Sequence, residues 1–96
     1  MANWLNENSK DLFTTIANLN DLEEVANFMR DLLTIKEIDT LSSRWRAARL
    51  LQQGVPYTEI EKQTGLSSAT IARVNQYREY GMGGYKKALE ESEKHD

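Results

Sequence analysis

The sequence predicts an all-α fold of about six helices, for three reasons. Apolar residues recur three and four positions apart along most of the chain, which places them on one face of a helix. No segment shows the alternation of apolar and polar residues that indicates a half-buried strand. Glycine and proline mostly occur at points that divide the chain into helix-length segments. The 96 residues suit one compact domain, so we expect a single helical domain over residues 1–96.

Residues 12–33 carry the pattern of two short amphipathic helices. Their apolar positions follow helical spacing: Leu12, Phe13, Ile16 and Leu19, then Leu22, Val25, Phe28, Met29, Leu32 and Leu33. Asn20 is expected to cap the second helix, because Glu23 follows three residues later and can complete a capping box. Both helices are therefore expected to present broad apolar faces.

A longer third helix is predicted from Thr34 to Gly54. Thr34 and Glu37 have the spacing of a capping box, which satisfies backbone N–H groups at a helix start. Gly54 suits the end of the helix, since glycine tolerates the left-handed backbone, and Pro56 marks a turn. Trp45 lies on this central helix, and we expect it in the core rather than stacked on a ligand.

Residues 57–77 have the pattern of a helix-turn-helix. A short helix is expected over residues 58–64, and Gly65 then supplies a tight turn. Ser67 or Ser68 can cap a second helix, which completes the motif. Apolar side chains on the facing sides are expected to close the corner: Ile60, Leu66, Ile71 and Val74. Two helices joined through a glycine also occur where the corner only packs the fold. That structural interpretation is the alternative to a helix-turn-helix that binds DNA.

A glycine-rich break follows the motif at Gly81-Met82-Gly83-Gly84. Residues 86–96 contain good helix formers but few apolar residues that could anchor a helix to the rest of the chain. We therefore expect a weak last helix or a frayed tail there.

Composition argues against most catalytic and metal-binding chemistry. The sequence has no cysteine, and its one histidine is His95, next to the last residue. It contains no nucleophile–base pair, metal-ligand cluster or phosphate-binding loop, so we expect no enzyme, no metal and no cofactor. It also has no run of 18 apolar residues and no signal-peptide pattern, so we expect a cytoplasmic protein without a membrane segment.

The net charge of −3 conceals an uneven distribution along the chain. Residues 1–41 hold three basic and eight acidic side chains, whereas residues 42–87 hold eight basic and three acidic ones. Residues 88–96 are acidic again. A basic segment between acidic ends suits a surface that binds a polyanion. The alternative is that solvated charges are unevenly scattered by chance.

The second helix of the motif, called the reading helix below, has the features of a DNA-contacting helix. Its outward positions are mostly small or polar, which lets it approach base edges in the major groove. The candidate DNA-binding residues on and next to it are Ser67, Ser68, Ala69, Ala72, Arg73 and Gln76. Phosphate contacts are expected from Arg46, Arg49 and Lys62, with Arg78 as a further candidate, and would make the affinity salt-dependent.

Several spaced motifs resemble those of the tryptophan repressor family. They are Leu33-Thr34-x-x-Glu37-x-x-x-Leu41-x-x-Arg44-x-Arg46, Leu50-Leu51-x-x-Gly54, Glu59-Ile60, Gly65, and Ala69-Thr70-Ile71-x-Arg73. The chain is more similar still to the repressor-like YerC/YecD group of Gram-positive bacteria, and the resemblance covers about residues 10–95. It implies an interlocked all-helical homodimer in which two helix-turn-helix units read a palindromic operator in double-stranded DNA.

The resemblance also implies a candidate effector pocket between the third helix and the reading helix. The positions that match it are Leu33, Thr34, Leu41, Arg44, Arg73, Val74 and Tyr77. An arginine pair can hold a carboxylate or a planar ring, although Arg44 and Arg73 can equally contact phosphate or solvent. Val74 and Tyr77 replace a glycine and a serine of the family's pocket. We therefore expect them to fill the pocket, and we do not expect tryptophan as the effector.

The amount of apolar surface favours a dimer independently of the resemblance. The first three helices offer more apolar side chains than a small monomer of this size usually exposes. A two-fold dimer would bury them and place two reading helices about one DNA turn apart. A closed monomeric bundle is the alternative.

Together these patterns predict a dimeric, sequence-specific, DNA-binding transcriptional regulator. The alternative is a protein-interaction module that does not bind DNA, in which the acidic N-terminal half docks a partner. The net charge of −3 supports that alternative, since many small DNA-binding domains are strongly basic.

Overall fold

The computed structural model describes residues 3–95 and places most of them in six helices joined by short loops. The helices are α1 (Glu7–Ala17), α2 (Leu22–Leu32), α3 (Ile35–Gln52), α4 (Tyr57–Thr64), α5 (Ser68–Tyr80) and α6 (Gly84–Lys94). This part of the chain contains no strand. The predicted all-α fold class is therefore confirmed.

Two compact units make up the chain, and their boundary lies within α3. The first unit runs to Ile38 and the second begins at Asp39. The single helical domain expected over residues 1–96 stays a prediction, and its first two residues and Asp96 lie outside the described part.

Short polar side chains fix the starts of the first two helices. Asn6 Oδ1 accepts from the Ser9 N–H at 2.9 Å and Ser9 Oγ accepts from the Asn6 N–H at 2.8 Å, a complete capping box. At α2, Asp21 Oδ1 accepts from the Glu24 N–H at 2.9 Å. The prediction that Asn20 caps α2 is wrong by one residue. A carboxylate interacts favourably with the positive end of the helix dipole, which favours Asp21 at this position.

The apolar faces of α1 and α2 are only partly covered within one chain. Over residues 3–38 no side chain is fully buried. Leu22 is 83% exposed and Ile35 is 60% exposed. The Trp4 and Phe13 rings lie 6.4 Å apart between centroids, yet both keep about half of their surface exposed. The first unit thus leaves its apolar side chains half-buried or exposed.

The predicted capping box at the start of α3 is confirmed. The Glu37 N–H donates to Thr34 Oγ1 at 3.0 Å, and the Thr34 N–H donates to Glu37 Oε1 at 2.9 Å. Hydrogen bonds to the Glu37 carboxyl, from the Thr34 backbone first and from the Thr34 side chain second, hold its pKa below the usual value.

Helices α3, α4 and α5 share an apolar core in the second unit. Its buried members are Ala47, Ala48, Leu50, Ile60, Ile71 and Val74. Trp45 is half-buried against this core, and its ring is stacked on that of Tyr85 at 6.4 Å between centroids. The expectation that Trp45 packs in the core is confirmed.

Helix α5 ends three residues later than predicted, at Tyr80 rather than near Tyr77. The Gly81 N–H donates to the Tyr77 carbonyl at 2.9 Å, so the backbone pattern of the helix persists to this point. A Cβ at position 81 would clash with the same carbonyl oxygen. Glycine is therefore required for the chain to leave the helix in this direction.

Helix α6 differs from the weak helix or frayed tail predicted for residues 86–96. It begins at Gly84 and continues to Lys94, while Asp96 lies outside the described residues. Leu89 is buried at 4% exposure and anchors the helix within the second unit. Buried Leu89 and the stacking of Tyr85 on Trp45 together hold a helix that the composition of this segment did not suggest.

Candidate nucleic-acid interface

The corner between α4 and α5 is built around Gly65. Its φ of +75° lies in the left-handed region, which glycine adopts readily and side chains disfavour. The Gly65 N–H donates to the Glu61 carbonyl at 2.8 Å and ends α4. Thr64 Oγ1 donates to the Ile60 carbonyl at 2.7 Å and accepts from the Leu66 N–H at 3.2 Å. These bonds hold the chain through the turn.

Apolar contacts close the same corner as predicted. Ile60 of α4 and Ile71 of α5 are completely buried, and Val74 is buried one turn further along α5. Leu66 in the turn is half-buried and packs against this cluster. The orientation of the reading helix, α5, thus rests on a closed core and a hydrogen-bonded turn.

Ser67 is the residue that caps the reading helix. Its Oγ accepts from the Thr70 N–H at 3.2 Å and lies 3.0 Å from the Thr70 hydroxyl. Ser68 is the first helical residue, and its side chain is exposed. The choice between Ser67 and Ser68 as the cap is thereby decided.

All six candidate DNA-binding residues on and next to α5 are exposed. They are Ser67, Ser68, Ala69, Ala72, Arg73 and Gln76. The buried side chains of α5 belong to Ile71 and Val74, so the helix has one apolar and one exposed face. Three of the six are serine or glutamine, two are alanine, and the only charge among them is positive. This face offers hydrogen-bonding groups and little steric bulk.

The predicted phosphate-contacting cations come from the two helices that precede the reading helix. Arg46 and Arg49 lie on α3 and Lys62 lies on α4. Arg46 and Lys62 are exposed, whereas Arg49 is half-buried. The second unit therefore presents exposed cations from α3, α4 and, through Arg73, α5.

Comparison with known proteins identifies the family. The family model described as Trp repressor protein matches residues 7–93, nearly the whole described chain. The chain belongs to the Trp repressor family. A curated relative is "Uncharacterized protein YerC" of Bacillus subtilis (strain 168), which is 47% identical to this chain over 79 residues. The aligned region covers 82% of this chain and 76% of the relative. The predicted membership in the repressor-like YerC/YecD group is confirmed.

Solved structures support the same assignment. A TrpR-like protein from Eubacterium eligens ATCC 27750 is similar with a TM-score of 0.85 and 39% identity, covering 92% of this chain and 91% of that one. A candidate Trp repressor from Staphylococcus aureus has a TM-score of 0.84 and 35% identity, covering 92% and 88%. The Trp repressor family is a family of regulatory DNA-binding proteins rather than of enzymes.

A cavity of about 210 Å³ lies beside the reading helix in the second unit. Its lining comes from α3, α5 and α6: Arg44, Thr70, Arg73, Val74, Tyr77 and Tyr85. Four of the seven residues predicted for the effector pocket are thus brought together. Arg44 and Arg73 are both exposed, and neither pairs with a carboxylate in the part of the chain that the structure describes.

Val74 and Tyr77 both line this cavity, and the expectation that they fill the family's pocket stays a prediction. Val74 is 4% exposed because its side chain belongs to the core, while Tyr77 is 55% exposed. The cavity that remains is smaller than the roughly 300–1,000 Å³ of typical small-molecule sites.

The other three predicted pocket residues do not line the cavity within this chain. Leu33 and Thr34 belong to the first unit, where Thr34 caps α3. Leu41 lies on α3 in the second unit and is 45% exposed. Sequence reasoning also missed two lining residues. Thr70 precedes Arg73 by three positions and could have been found from helical spacing, whereas Tyr85 lies beyond the glycine-rich break, where spacing gives no guidance.

Residues 3–95 contain no cluster of histidine, cysteine and carboxylate side chains that could hold a metal ion. In the same residues, no helix combines the length and apolar character needed to cross a lipid bilayer.

Proposed function

We propose that this protein is a dimeric, sequence-specific, DNA-binding transcriptional regulator that inserts α5 into the major groove. One observation carries the proposal: the exposed face of α5 is small, polar and positively charged, while its other face is buried against a glycine-centred corner. This is the arrangement that brings a helix close to base edges. Membership in a regulatory DNA-binding family supports it. Such a regulator acts in the cytoplasm, the location expected from the sequence.

Two groups of side chains divide the work in this proposal. Base recognition is assigned to five residues on and next to the exposed face of the reading helix: Ser67, Ser68, Ala69, Ala72 and Gln76. Phosphate binding is assigned to Arg46, Arg49 and Lys62, which fix the register of the protein on the duplex without reading sequence. Affinity should therefore fall steeply with salt, while preference for the operator should depend on α5.

The exposed apolar surface supports the proposed dimeric state. Helices of eleven residues are marginal on their own, and α1 and α2 bury no side chain completely within one chain. Further apolar surface lines an open groove of about 660 Å³ in the second unit, where Tyr80 is 82% and Met82 is 87% exposed. A second copy of this chain, interlocked through the first helices, would cover such surfaces and pair two reading helices.

Selection of bound fragments from random duplex DNA, with the mass of the protein in solution measured in parallel, tests this function. An enriched palindrome bound by a dimer is the expected result. A protein that enriches no sequence, with or without added amino acids, and that fails to shift mixed genomic DNA at low salt would instead be the interaction module considered above. A monomer at micromolar concentration would contradict the proposed dimer.

We further propose that the cavity beside the reading helix binds a small anionic effector other than tryptophan. The guanidiniums of Arg44 and Arg73 are exposed and have no carboxylate partner among residues 3–95, which favours an anion. The small volume left by Val74 and Tyr77 disfavours an indole. Calorimetric titration of the protein with tryptophan and with small carboxylates tests this. If tryptophan binds and Arg44→Met abolishes that binding, then tryptophan is the effector and the proposal is wrong.

A further inference from the structure

The guanidinium of Arg78 links the end of the reading helix to the end of α3. Its Nη1 donates to Gln52 Oε1 at 2.8 Å, across 26 positions of sequence. On its own helix, Nη2 donates to Asn75 Oδ1 at 2.8 Å and Nε donates to the same oxygen at 3.2 Å. Nη2 also lies 3.4 Å from Glu79 Oε1. One side chain thus joins α3 and α5 by a directed polar bond.

This geometry leaves Arg78 poorly placed to contact DNA. Its side chain is only 20% exposed, in contrast to the exposed cations Arg46, Lys62 and Arg73. Three of its nitrogens already donate to protein oxygens. The sequence suggested Arg78 as a phosphate contact, whereas in the structure its donors bond to oxygens of Gln52, Asn75 and Glu79.

The core and the hydrogen-bonded turn set the packing of α5, and the bond between Arg78 and Gln52 adds a directional constraint between α5 and α3. The hydrophobic effect that buries Ile71 and Val74 is itself non-directional. A guanidinium fork bound to planar amides is directional, because its donors lie in a fixed plane. Gln52 is the last residue of α3, the helix that carries Arg46 and Arg49.

We infer that Arg78 is a positioning residue that fixes the reading helix relative to the phosphate-contacting helix α3. Base contacts on α5 and phosphate contacts on α3 must engage one duplex simultaneously, so a small rotation between these helices weakens both sets at once. The inference rests on the proposed DNA-binding function. The inference also gives Gln52 and Asn75 an effect on operator recognition, although neither residue contacts DNA in the proposed function.

Three variants and one control test the inference on the full-length protein. Gln52→Ala removes the acceptor on α3 without changing charge, Arg78→Lys keeps the charge but loses the fork, and Arg78→Met removes both. Lys87→Met is the matched control, since it removes a cation from the exposed Lys87–Glu91 pair of α6. Each variant is measured well below its melting temperature, so that unfolding does not contribute to the affinities.

Gln52→Ala and Arg78→Lys should each weaken binding to the selected operator by up to about tenfold per chain, the limit set by the loss of one exposed charge-assisted hydrogen bond in each chain. Preference for the operator over a scrambled duplex should fall in parallel. The dependence of log affinity on log salt should keep its slope in both variants, and combining Gln52→Ala with Arg78→Met should add little to either loss. A slope reduced by about one per chain in Arg78→Met, with Gln52→Ala unaffected, would make Arg78 a phosphate contact and overturn the inference.

An arm without DNA separates this inference from the proposed function. Residual dipolar couplings of backbone N–H groups in the free protein report the orientation of α5 relative to α3. They should change for α5 in Gln52→Ala and Arg78→Lys but not in Lys87→Met. Unchanged couplings would overturn the inference even if the wild-type protein binds DNA. Changed couplings in a protein that selects no DNA would retain the positioning contact and reject the proposed function instead.

Discussion

At the residue scale, Gly65 shows a backbone requirement that can be isolated from packing. Its φ is +75°, and a Cβ built there meets no atom within 4 Å. Gly65→Ala should therefore cost only the strain of a left-handed residue, roughly 1–2 kcal/mol. Gly65→Asn should cost less, because asparagine tolerates this conformation better. Urea unfolding measures both, and an alanine variant as stable as the wild type would contradict the backbone argument.

Ser68 and Lys62 separate base reading from phosphate binding at single positions. Both side chains are exposed, so their substitution should leave stability within about 0.5 kcal/mol of the wild type. Ser68→Ala should reduce preference for the selected operator over single-base variants, whereas Lys62→Ala should weaken all duplexes alike and reduce the salt slope. Gel-shift titrations at several salt concentrations measure both effects. Unchanged sequence preference in Ser68→Ala would remove Ser68 from the base-contacting set.

Glu37 gives the chain a predictable response to acid. Hydrogen bonds from the backbone and then the side chain of Thr34 lower the pKa of its carboxyl. Because the folded-state pKa is the lower one, this carboxylate stabilises the fold above its unfolded pKa, and the stabilisation is lost as pH falls through the folded pKa. Glu37→Gln should flatten this part of the stability profile. Melting temperatures measured from neutral to acidic pH check this, and parallel profiles for the two proteins would exclude the effect.

At the element scale, the sequence located best those helix ends that a specific residue type fixes. Thr34 with Glu37 begins α3, and Gly65 ends α4, because each residue type supplies a hydrogen bond or a backbone conformation that few others can. The start of α2 was missed by one residue, since Asn20 and Asp21 are both good caps and local pattern does not rank them. The end of α5 was missed because Gly81, not the last apolar position, stops it.

Helix α6 shows how one long-range contact changes an element. Leu89→Ala should destabilise the protein by roughly 2–4 kcal/mol, because Leu89 is buried at 4% exposure. Lys87→Ala on the same helix serves as the control, since Lys87 is exposed. Thermal unfolding followed by circular dichroism measures the difference. A frayed tail, the expectation from composition, would make the two variants equally stable.

At the scale of the whole molecule, the apolar faces of α1 and α2 decide between a monomer and a dimer. Leu22 is 83% exposed and occupies the first turn of α2, where a carboxylate favours an isolated helix. Leu22→Asp should therefore stabilise a monomer slightly, but it should destabilise a dimer that buries this position. Light scattering and the concentration dependence of the melting temperature distinguish these outcomes. A stable variant of unchanged mass would place Leu22 outside any interface.

The candidate site was predictable in its composition more than in its assembly. The exposed residues of α5 follow from helical spacing, and the closing contacts of Ile60, Ile71 and Val74 follow from the same pattern. The bond between Gln52 and Arg78 and the stacking of Trp45 on Tyr85 join distant positions through side-chain geometry. Neither leaves a periodic trace in the sequence, so only the folded chain reveals them.

The partly covered faces of α1 and α2 also bear on how fast subunits would exchange between dimers. If a second copy completes the folding of these helices, two subunits can separate only by unfolding, and their exchange is as slow as that unfolding. A subunit that cannot bind DNA would then inactivate the wild-type subunits that are synthesised together with it. It would enter existing dimers only slowly. Each subunit would keep the partner with which it was synthesised. A change in the subunits that the cell makes would alter the dimers bound to DNA only as new protein replaced old.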